Sequence, residues 1–179
     1  MKLPFPDDAG DAGGAAAPVA VRQATPVDIP LILGFIRELA SYEKLLGDVE
    51  ATEDRLRQTL FPQDGSPAAA SVLVGELDGK PAGFAVYFSN YSTFLARPGL
   101  YLEDLFVRPQ ARGNGLGKAL LLHLAALAAD RGCGRMEWAV LDWNAPAIEF
   151  YQSLGAIALD DWTVFRLTGG VLRAKQTPG

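Results

Sequence analysis

The stretch YLEDLFVRPQARGNGLGKALLLHLAALAAD, residues 101–130, decides the fold. An apolar run of strand type leads through a glycine-rich loop into a long helical pattern. Glycine has no Cβ, so backbone N–H groups can approach an anion, and the N-terminus of the following helix adds a partial positive charge. The residues alone leave two interpretations open for this loop, a phosphate-binding site and a flexible turn.

Spacing excludes two other phosphate-binding fingerprints. A dinucleotide fingerprint G-x-G-x-x-G that begins at Gly113 requires glycine where the chain has Lys118. A P-loop that ends at Gly117 and Lys118 requires glycine at Arg112 and a hydroxyl residue at Ala119. The pattern that remains is R-x-x-G-x-G, which begins at Arg112 and lies between a predicted strand and a predicted helix.

Apolar periodicity and turn residues predict the order of the other elements. Thr25 is the expected N-cap of the first helix, and Asp78 with Gly79 is typical of a hairpin turn. The predicted elements are, in order, a strand at 19–24, helices at 26–46 and 52–60, strands at 70–77, 82–91 and 100–107, a helix at 116–132, a strand at 134–142, a helix at 145–154 and a last strand at 162–168. This order implies an α/β fold whose sheet has antiparallel and parallel parts.

Length and composition limit the class of protein. The chain has 179 residues, 49% of them hydrophobic, which suits a single domain with a sizeable core. The formal net charge of −5 argues against nucleic acid or an anionic membrane as a partner, and no apolar run is long enough to span a bilayer. One cysteine and one histidine exclude an intrachain disulfide and the residue cluster of a zinc site. We therefore expect a metal-free protein in a reducing, cytoplasmic setting.

Both ends of the chain are predicted to be tails. Residues 1–18 are rich in Ala, Gly, Pro and Asp, and their acids interrupt what would have to be the apolar core of a signal peptide. We expect a disordered tail at 1–18, one globular domain at 19–169 and a short tail at 170–179.

Four sequence blocks, taken in order, resemble the GCN5-related N-acetyltransferase (GNAT) superfamily over residues 19–169. They are RELASYEK, LYLEDLFV, RGNGLG and WNAPAIEFYQSLGA, at 37–44, 100–107, 112–117 and 143–156. Within the superfamily they are most similar to the diamine (spermidine/spermine) and thialysine N-acetyltransferase branch. The resemblance implies a mixed sheet with a splayed central strand pair, flanked by helices. It also implies acetyl-CoA as cosubstrate, a small cationic amine as acceptor and a homodimer.

The resemblance assigns the CoA-binding residues. It places the pyrophosphate on the loop, the pantetheine arm and thioester on the preceding strand, and a further wall of the CoA site on the helix that contains Tyr151. The loop residues are Arg112, Gly113, Asn114, Gly115, Leu116, Gly117 and Lys118, the strand residues are Leu105, Phe106 and Val107, and the helix adds Asn144 and Ala147. Related enzymes often carry a hydroxyl residue where this chain has Ala147.

Two adjacent acids, Glu103 and Asp104, interrupt the apolar strand. Because side chains alternate along a strand, we expect one carboxylate on each face of the sheet. Burying both without partners would be costly, so the pair is expected at a strand end, at a bulge or in a wet cleft. The alternative to a functional role is that both acids are solvated at the end of a strand. The resemblance implies that Glu103 accepts the proton of the amine through water and that Asp104 binds the cationic substrate.

A third acid, Glu43, continues the apolar stripe of the first helix, at the end where the helix dipole disfavours an anion. A nearby cation such as Lys44 would offset the unfavourable interaction with the dipole, and an ion pair between Glu43 and Lys44 is the alternative to a functional role. The resemblance instead places Tyr42 and Glu43 in the amine site. It also places Trp162 on the substrate side, whereas we expect Trp143 to pack in the core.

Tyr151 lies on one helical face with Ala147, Ile148 and Leu154, which is typical of a core tyrosine. The resemblance makes it the general acid that protonates the departing CoA thiolate. With unperturbed pKa values of about 10 for tyrosine and about 8.5 for the thiol, this transfer costs about 2 kcal/mol. The site would therefore have to lower the first pKa or raise the second.

Three functions fit these residues. The first is N-acetyl transfer from acetyl-CoA to a small cationic amine by direct attack in a ternary complex, with Glu43, Glu103 and Asp104 as its distinguishing feature. The second is acetylation of a protein N-terminus or lysine side chain. The third is a non-catalytic acyl-CoA-binding module.

Overall fold

The computed structural model describes residues 17–169. The chain divides into two compact units, whose described parts are residues 17–139 and 140–169. The tails predicted at 1–18 and 170–179 lie outside the described residues, apart from positions 17 and 18. Within the described part, no helix has the length and apolar character needed to cross a membrane.

The first unit contains five strands: β1 (Val19–Gln23), β2 (Ser71–Leu77), β3 (Lys80–Ser92), β4 (Arg97–Val107) and β5 (Met136–Trp138). They form one sheet in the order β1-β2-β3-β4-β5, antiparallel except for the parallel pair β4 and β5. The hairpin turn between β2 and β3 is confirmed, because Asp78 and Gly79 have φ angles of 52° and 70°. The predicted mixed α/β fold is therefore confirmed.

Four α-helices accompany the strands within residues 17–169: α1 (Ile29–Tyr42), α2 (Glu53–Leu60), α3 (Leu116–Asp130) and α4 (Ala145–Ser153). The helix predicted at 52–60 begins as expected, since the Thr52 hydroxyl accepts the N–H of Arg55 at 3.2 Å. A 3-10 turn precedes α1, and there the N–H of Thr25 donates to Asp28 Oδ2 at 2.8 Å. Short polar side chains thus define both helix starts.

Helix α1 ends earlier than the predicted boundary at 46. Lys44 adopts a left-handed conformation with φ 63°, and the N–H of Leu45 donates to the carbonyl of Ala40 at 2.8 Å. This bond belongs to a Schellman motif, which usually has glycine at the left-handed position. The motif terminates the helix and places Glu43 at its C-cap.

Helices α1 and α3 pack on opposite faces of the sheet. Phe35 of α1 stacks on Phe84 of β3, with ring centroids 5.3 Å apart, in a core that also contains Phe106 of β4. On β2, Gly75 lies on the other face, where an added Cβ would stand 2.8 Å from the Leu116 side chain of α3. The Phe106 side chain therefore lies on the face of β4 that α1 covers.

A β-bulge interrupts the pairing of β3 with β4. Val86 pairs with Asp104, but the next residue, Tyr87, pairs with Leu102, which leaves Glu103 as the extra residue. Phe106 and Asp104 therefore face α1, and the side-chain alternation breaks at Glu103. The predicted bulge is confirmed, and it interrupts the regular alternation on which the expectation of one carboxylate on each face depends.

Strands β4 and β5 pair only at one end. Leu100, Tyr101 and Leu102 are opposite residues 136–138, and the remaining residues of β4 extend beyond this short ladder. In the part of the first unit that the structure describes, the β5 side of residues 103–107 has no strand partner. The predicted splayed strand pair is confirmed.

The strand predicted at 162–168 is wrong. This segment is irregular, and its large apolar side chains are exposed, including Trp162 by 73%. A strand needs hydrogen bonds from a neighbouring strand, and residues 140–169 contain helix α4 but no strand to provide them. Trp143, predicted to lie in the core, is 55% exposed.

Candidate active site

The glycine loop presents an open surface before α3. Gly113 and Gly115 have φ angles of 79° and 77°, which residues other than glycine rarely adopt. A Cβ added at either position would meet no atom within 4 Å, so these glycines are required by the backbone and not by crowding. Gly115 is the N-cap of α3, where the first N–H groups of the helix lack intrahelical partners.

The other predicted loop residues hold this surface in place. Asn114 Nδ2 donates to the carbonyls of Ala111 and Arg112, both at 3.2 Å, while Leu116 is buried in the core. Gly117 and Lys118 are half-buried in the first turn of α3. Leu116 can therefore contribute only backbone groups to a ligand, whereas the backbone of residues 112–115 is exposed.

The splayed edge of β4 adjoins the loop. Leu105 and Val107 are half-buried and Phe106 is buried, so their side chains contribute to packing while the strand edge continues beyond β5. Arg112 Nε donates to the carbonyl of Val107 at 3.0 Å, which ties the loop to the end of the strand. An extended ligand with amide groups can pair along such an edge as an added strand does.

Three predicted acids come together beside this edge. Burial, followed by repulsion from Glu103 and Glu43, raises the pKa of Asp104 to about 6. Burial also raises the pKa of Glu43. Among residues 17–169, none of these carboxylates forms an ion pair, so the proposed pairing of Glu43 with Lys44 is not found. In the described part of the chain, the acids therefore come together without an ion-pair partner.

The bulge gives the two neighbouring acids of β4 different environments. Glu103 is exposed, whereas Asp104 is half-buried on the α1 face. Glu103 also acts on Tyr101, whose pKa is raised by burial first and then by Glu103 and Glu137. Tyr101 was not among the predicted site residues, although it stands two positions before Glu103 in the same strand.

Tyr42 lies between the loop and the acids. The Arg112 guanidinium stands 4.9 Å from the centroid of the Tyr42 ring, and Glu43 follows at the helix end. Sequence analysis also missed Arg108 and Glu38, which join the end of β4 to α1. No local pattern signals that pair, because 70 residues separate its members.

The second unit contains the remaining predicted residues. Asn144 occupies the N-cap position of α4, and Ala147, Tyr151 and Leu154 lie half-buried on one face of the helix, as predicted. Burial raises the pKa of Tyr151 to about 12. Proton transfer from such a group to a thiolate with a pKa of about 8.5 costs roughly 5 kcal/mol, more than the unperturbed value requires. Trp162 lies in the irregular segment described above.

The acids do not resemble a preformed metal centre. Across residues 17–169, no group of three or more His, Cys, Asp or Glu side chains has an arrangement that could hold a metal ion.

The chain is similar to known acetyltransferases along most of its length. The sequence pattern of the Acetyltransferase (GNAT) family matches residues 37–156. Thialysine N-epsilon-acetyltransferase of Sus scrofa is 39% identical over 168 residues, covering 88% of this chain and 96% of that protein. L-ornithine N5-acetyltransferase of Arabidopsis thaliana is 34% identical over 198 residues, covering 86% of each. An integron cassette protein from the mobile metagenome of V. cholerae superposes with a TM-score of 0.70 at 29% identity, covering 90% of this chain and 98% of that one.

Proposed function

The chain belongs to the GNAT family and is an N-acetyltransferase, and we propose that it moves the acetyl group of acetyl-CoA to a primary amine of a small cationic substrate. The substrate class is a diamine, a polyamine or a thialysine-like amine, and the amine attacks the thioester directly in a ternary complex. The observation that carries this proposal is the cluster of Glu43, Glu103 and Asp104. The acceptors named for its thialysine and ornithine relatives are also amines.

A cationic substrate supplies what the acid cluster lacks. At neutral pH Asp104 is mostly ionised, since its pKa of about 6 lies below pH 7, yet burial and its two acidic neighbours disfavour that charge. An ammonium group bound near Asp104 and Glu43 would relieve both penalties through charge-assisted hydrogen bonds. The exposed Glu103 would then accept the proton of the attacking amine through a water molecule.

The acyl donor would occupy the loop and the splayed strand edge. Backbone N–H groups between Gly113 and Lys118 would hold the pyrophosphate at the N-terminus of α3. The edge of residues 105–107 would pair with the pantetheine amides, and a backbone N–H there would stabilise the developing oxyanion. The open space beside Gly113 and Gly115 supports this placement.

Tyr151 is proposed as the general acid, with Asn144, Ala147 and Trp162 as further ligand contacts. Its raised pKa keeps the proton on the phenol until the thiolate forms. The burial that raises this pKa also disfavours a thiolate beside it, so both partners of the transfer shift in the same direction. The homodimer and the cytoplasmic location that the sequence analysis predicts remain part of this proposal.

A panel of amines tests the proposed substrate class. Wild-type kcat/KM should be at least about tenfold higher for a diamine, a polyamine or thialysine than for a neutral-tailed amine of equal length. Asp104→Asn should narrow this preference, whereas Asp130→Asn, which removes an exposed charge at the end of α3, should not. Equal rates for charged and neutral-tailed amines would contradict the proposal and favour a protein N-terminus as acceptor, and no turnover of acetyl-CoA would favour a binding module.

Tyr151→Phe tests the acid separately. We expect CoA affinity to be nearly unchanged and kcat to fall on the order of tenfold to a thousandfold, since only the proton donor is removed. Wild-type turnover, under conditions in which chemistry limits the rate, would return Tyr151 to a packing role.

A further inference from the structure

Arg108 joins the end of β4 to the middle of α1. Its Nη2 and Nε donate to Glu38 Oε1 and Oε2 at 2.7 and 2.9 Å, and its Nη1 donates to the Pro81 carbonyl at 3.1 Å. The guanidinium also lies 4.7 Å from the centroid of the Phe35 ring. The two charged side chains are 28% and 38% exposed, so this planar, forked contact is partly shielded from solvent.

The face of α1 that Arg108 contacts also contains Tyr42, next to Glu43 of the acid cluster. Phe35, Glu38 and Tyr42 stand at i, i+3 and i+7 of α1 and so share one face. Arg112 contacts Tyr42 one turn beyond the place where Arg108 contacts Glu38. Both ends of the 3-10 turn at Pro109–Ala111 therefore hold the C-terminal half of α1.

The acids themselves oppose this arrangement. Glu43 and Asp104 repel each other across the gap between α1 and β4, and within residues 17–169 neither forms an ion pair that would draw them together. Left to this repulsion, the last turn of α1 would move away from the strand. The packing of Phe35 against Phe84 and Phe106 holds the middle of α1 on the sheet, and the contact between Arg108 and Glu38 adds an attraction closer to the acids.

We propose that Arg108, acting through Glu38, is a positioning residue that holds Glu43 close enough to Asp104 for one ammonium group to contact both. This inference rests on the proposed cationic substrate. Glu38 lies in α1 five residues before Glu43, and the Schellman motif at residues 40–45 fixes the helix end at which Glu43 stands. Arg108 itself touches neither the substrate nor the acyl donor in this scheme.

Arg108→Met and Glu38→Gln test the role, because each removes the charge pair while keeping a side chain of similar length. The preference in kcat/KM for a diamine over a neutral-tailed amine of equal length should narrow by about threefold to tenfold, through a higher KM for the diamine. Turnover of the neutral-tailed amine and the Kd for CoA should change by less than about twofold. The matched control is Arg55→Met, which breaks the exposed pair between Arg55 of α2 and Glu50.

A double-mutant cycle separates positioning from general stability. In a Glu43→Gln background, Arg108→Met should no longer change the preference for the diamine, because the group it positions has lost its charge. An undiminished loss in that background would overturn the positioning role, as would an unchanged preference in folded Arg108→Met and Glu38→Gln.

Two outcomes keep the inference distinct from the proposed function. If Arg108→Met does not fold, Arg108→Lys is tested in its place. Lysine keeps the positive charge but lacks the forked guanidinium, so the preference for the diamine should lie between the wild-type value and equal use of the two amines. A wild-type preference that Arg108→Lys leaves unchanged would overturn the role of Arg108 alone. A wild-type enzyme without preference for the diamine would overturn the proposed function, and the positioning role with it.

Discussion

Asp28 and Asp104 are two shielded carboxylates in the same unit, and their pKa values shift in opposite directions. Arg22 donates to both oxygens of Asp28 at 2.8 Å, and this pairing lowers the pKa of Asp28 to about 2. Asp104 has acids as its neighbours instead of a cation, and its pKa is raised to about 6. Within residues 17–169, the carboxylate that caps a helix is thus neutralised by a cation, and the one beside the proposed acyl site has no ion-pair partner.

The opposite shifts have opposite effects on folding. Asp28, with its depressed pKa, stabilises the folded state above the unfolded pKa of about 3.9, and this contribution is lost as pH falls toward 2. Asp104 binds its proton more tightly in the folded state, so its contribution becomes unfavourable as pH rises from about 4 to 6. A carboxylate that destabilises the fold at neutral pH is typical of a site built for a ligand.

The largest expected effect is on the paired carboxylate. Asp28→Asn should lower the free energy of unfolding at pH 7 by roughly 2 to 3 kcal/mol, because it removes the acceptor of the Arg22 fork and of the Thr25 N–H. Urea denaturation measures this. A change below about 0.5 kcal/mol would show that the Arg22 pair contributes little and would weaken the contrast with Asp104.

The same substitution at Asp104 should have the opposite effect. Asp104→Asn should raise the free energy of unfolding at pH 7 by about 1 to 2 kcal/mol, because it removes a carboxylate whose charge is unfavourable in the folded state. The gain should be nearly absent near pH 4, where Asp104 of the folded wild-type protein is protonated and as uncharged as the asparagine, and it should grow as pH rises to 6. Denaturation curves at several pH values give this difference directly. A loss of stability at pH 7 would mean that Asp104 has an attractive partner after all.

An amine with two or more positive charges should act on Asp104 and not on Asp28. Spermidine or a short diamine at about five times its Kd should stabilise the wild-type protein by about 1 kcal/mol, because it binds the folded state and supplies the missing positive charge. The melting temperature should rise in wild type and in Asp28→Asn but much less in Asp104→Asn. A monoamine of equal length is the control, and an equal rise with both amines would contradict specific pairing at the acid cluster.

The smallest effect is expected at Lys44, the cation nearest to the acids in sequence. Lys44→Gly should stabilise the protein by roughly 0.5 to 1 kcal/mol, since glycine adopts the left-handed conformation of the C-cap without strain. Thermal denaturation at neutral pH measures the gain. If Lys44 were instead a hidden partner of Glu43, the variant would lose stability and the pKa of Asp104 would rise further.

Local sequence patterns predicted most of the helices, strands and turns of the first unit. The hairpin turn at Asp78 and Gly79, the cap at Thr52 and the strand, loop and helix of residues 101–130 are set by interactions between residues close in sequence. The strand predicted at 162–168 failed because an alternating apolar pattern does not supply the partner strand that a ladder requires.

The candidate site was predicted only in part. Side-chain types identified Glu43, Glu103 and Asp104 as unusual and offered a strand end, a bulge or a wet cleft for the last two, but which of these occurs depends on the register between β3 and β4. Arg108 and Glu38 were missed because the sequence contains many possible charge pairs, and only the folded chain selects which ones meet.

By itself, the sequence determined the type and order of most regular elements and which few residues break the apolar pattern, because propensity, capping and spacing act over a few residues. Tertiary structure decided which of those residues became neighbours and how their pKa values shifted. The direction of a pKa shift is set by burial and by the charges within a few ångströms, and these come from segments far apart in the chain. Asp28 and Asp104 are the same residue type in the sequence, and only the fold makes one a structural anion and the other a candidate for binding a cation.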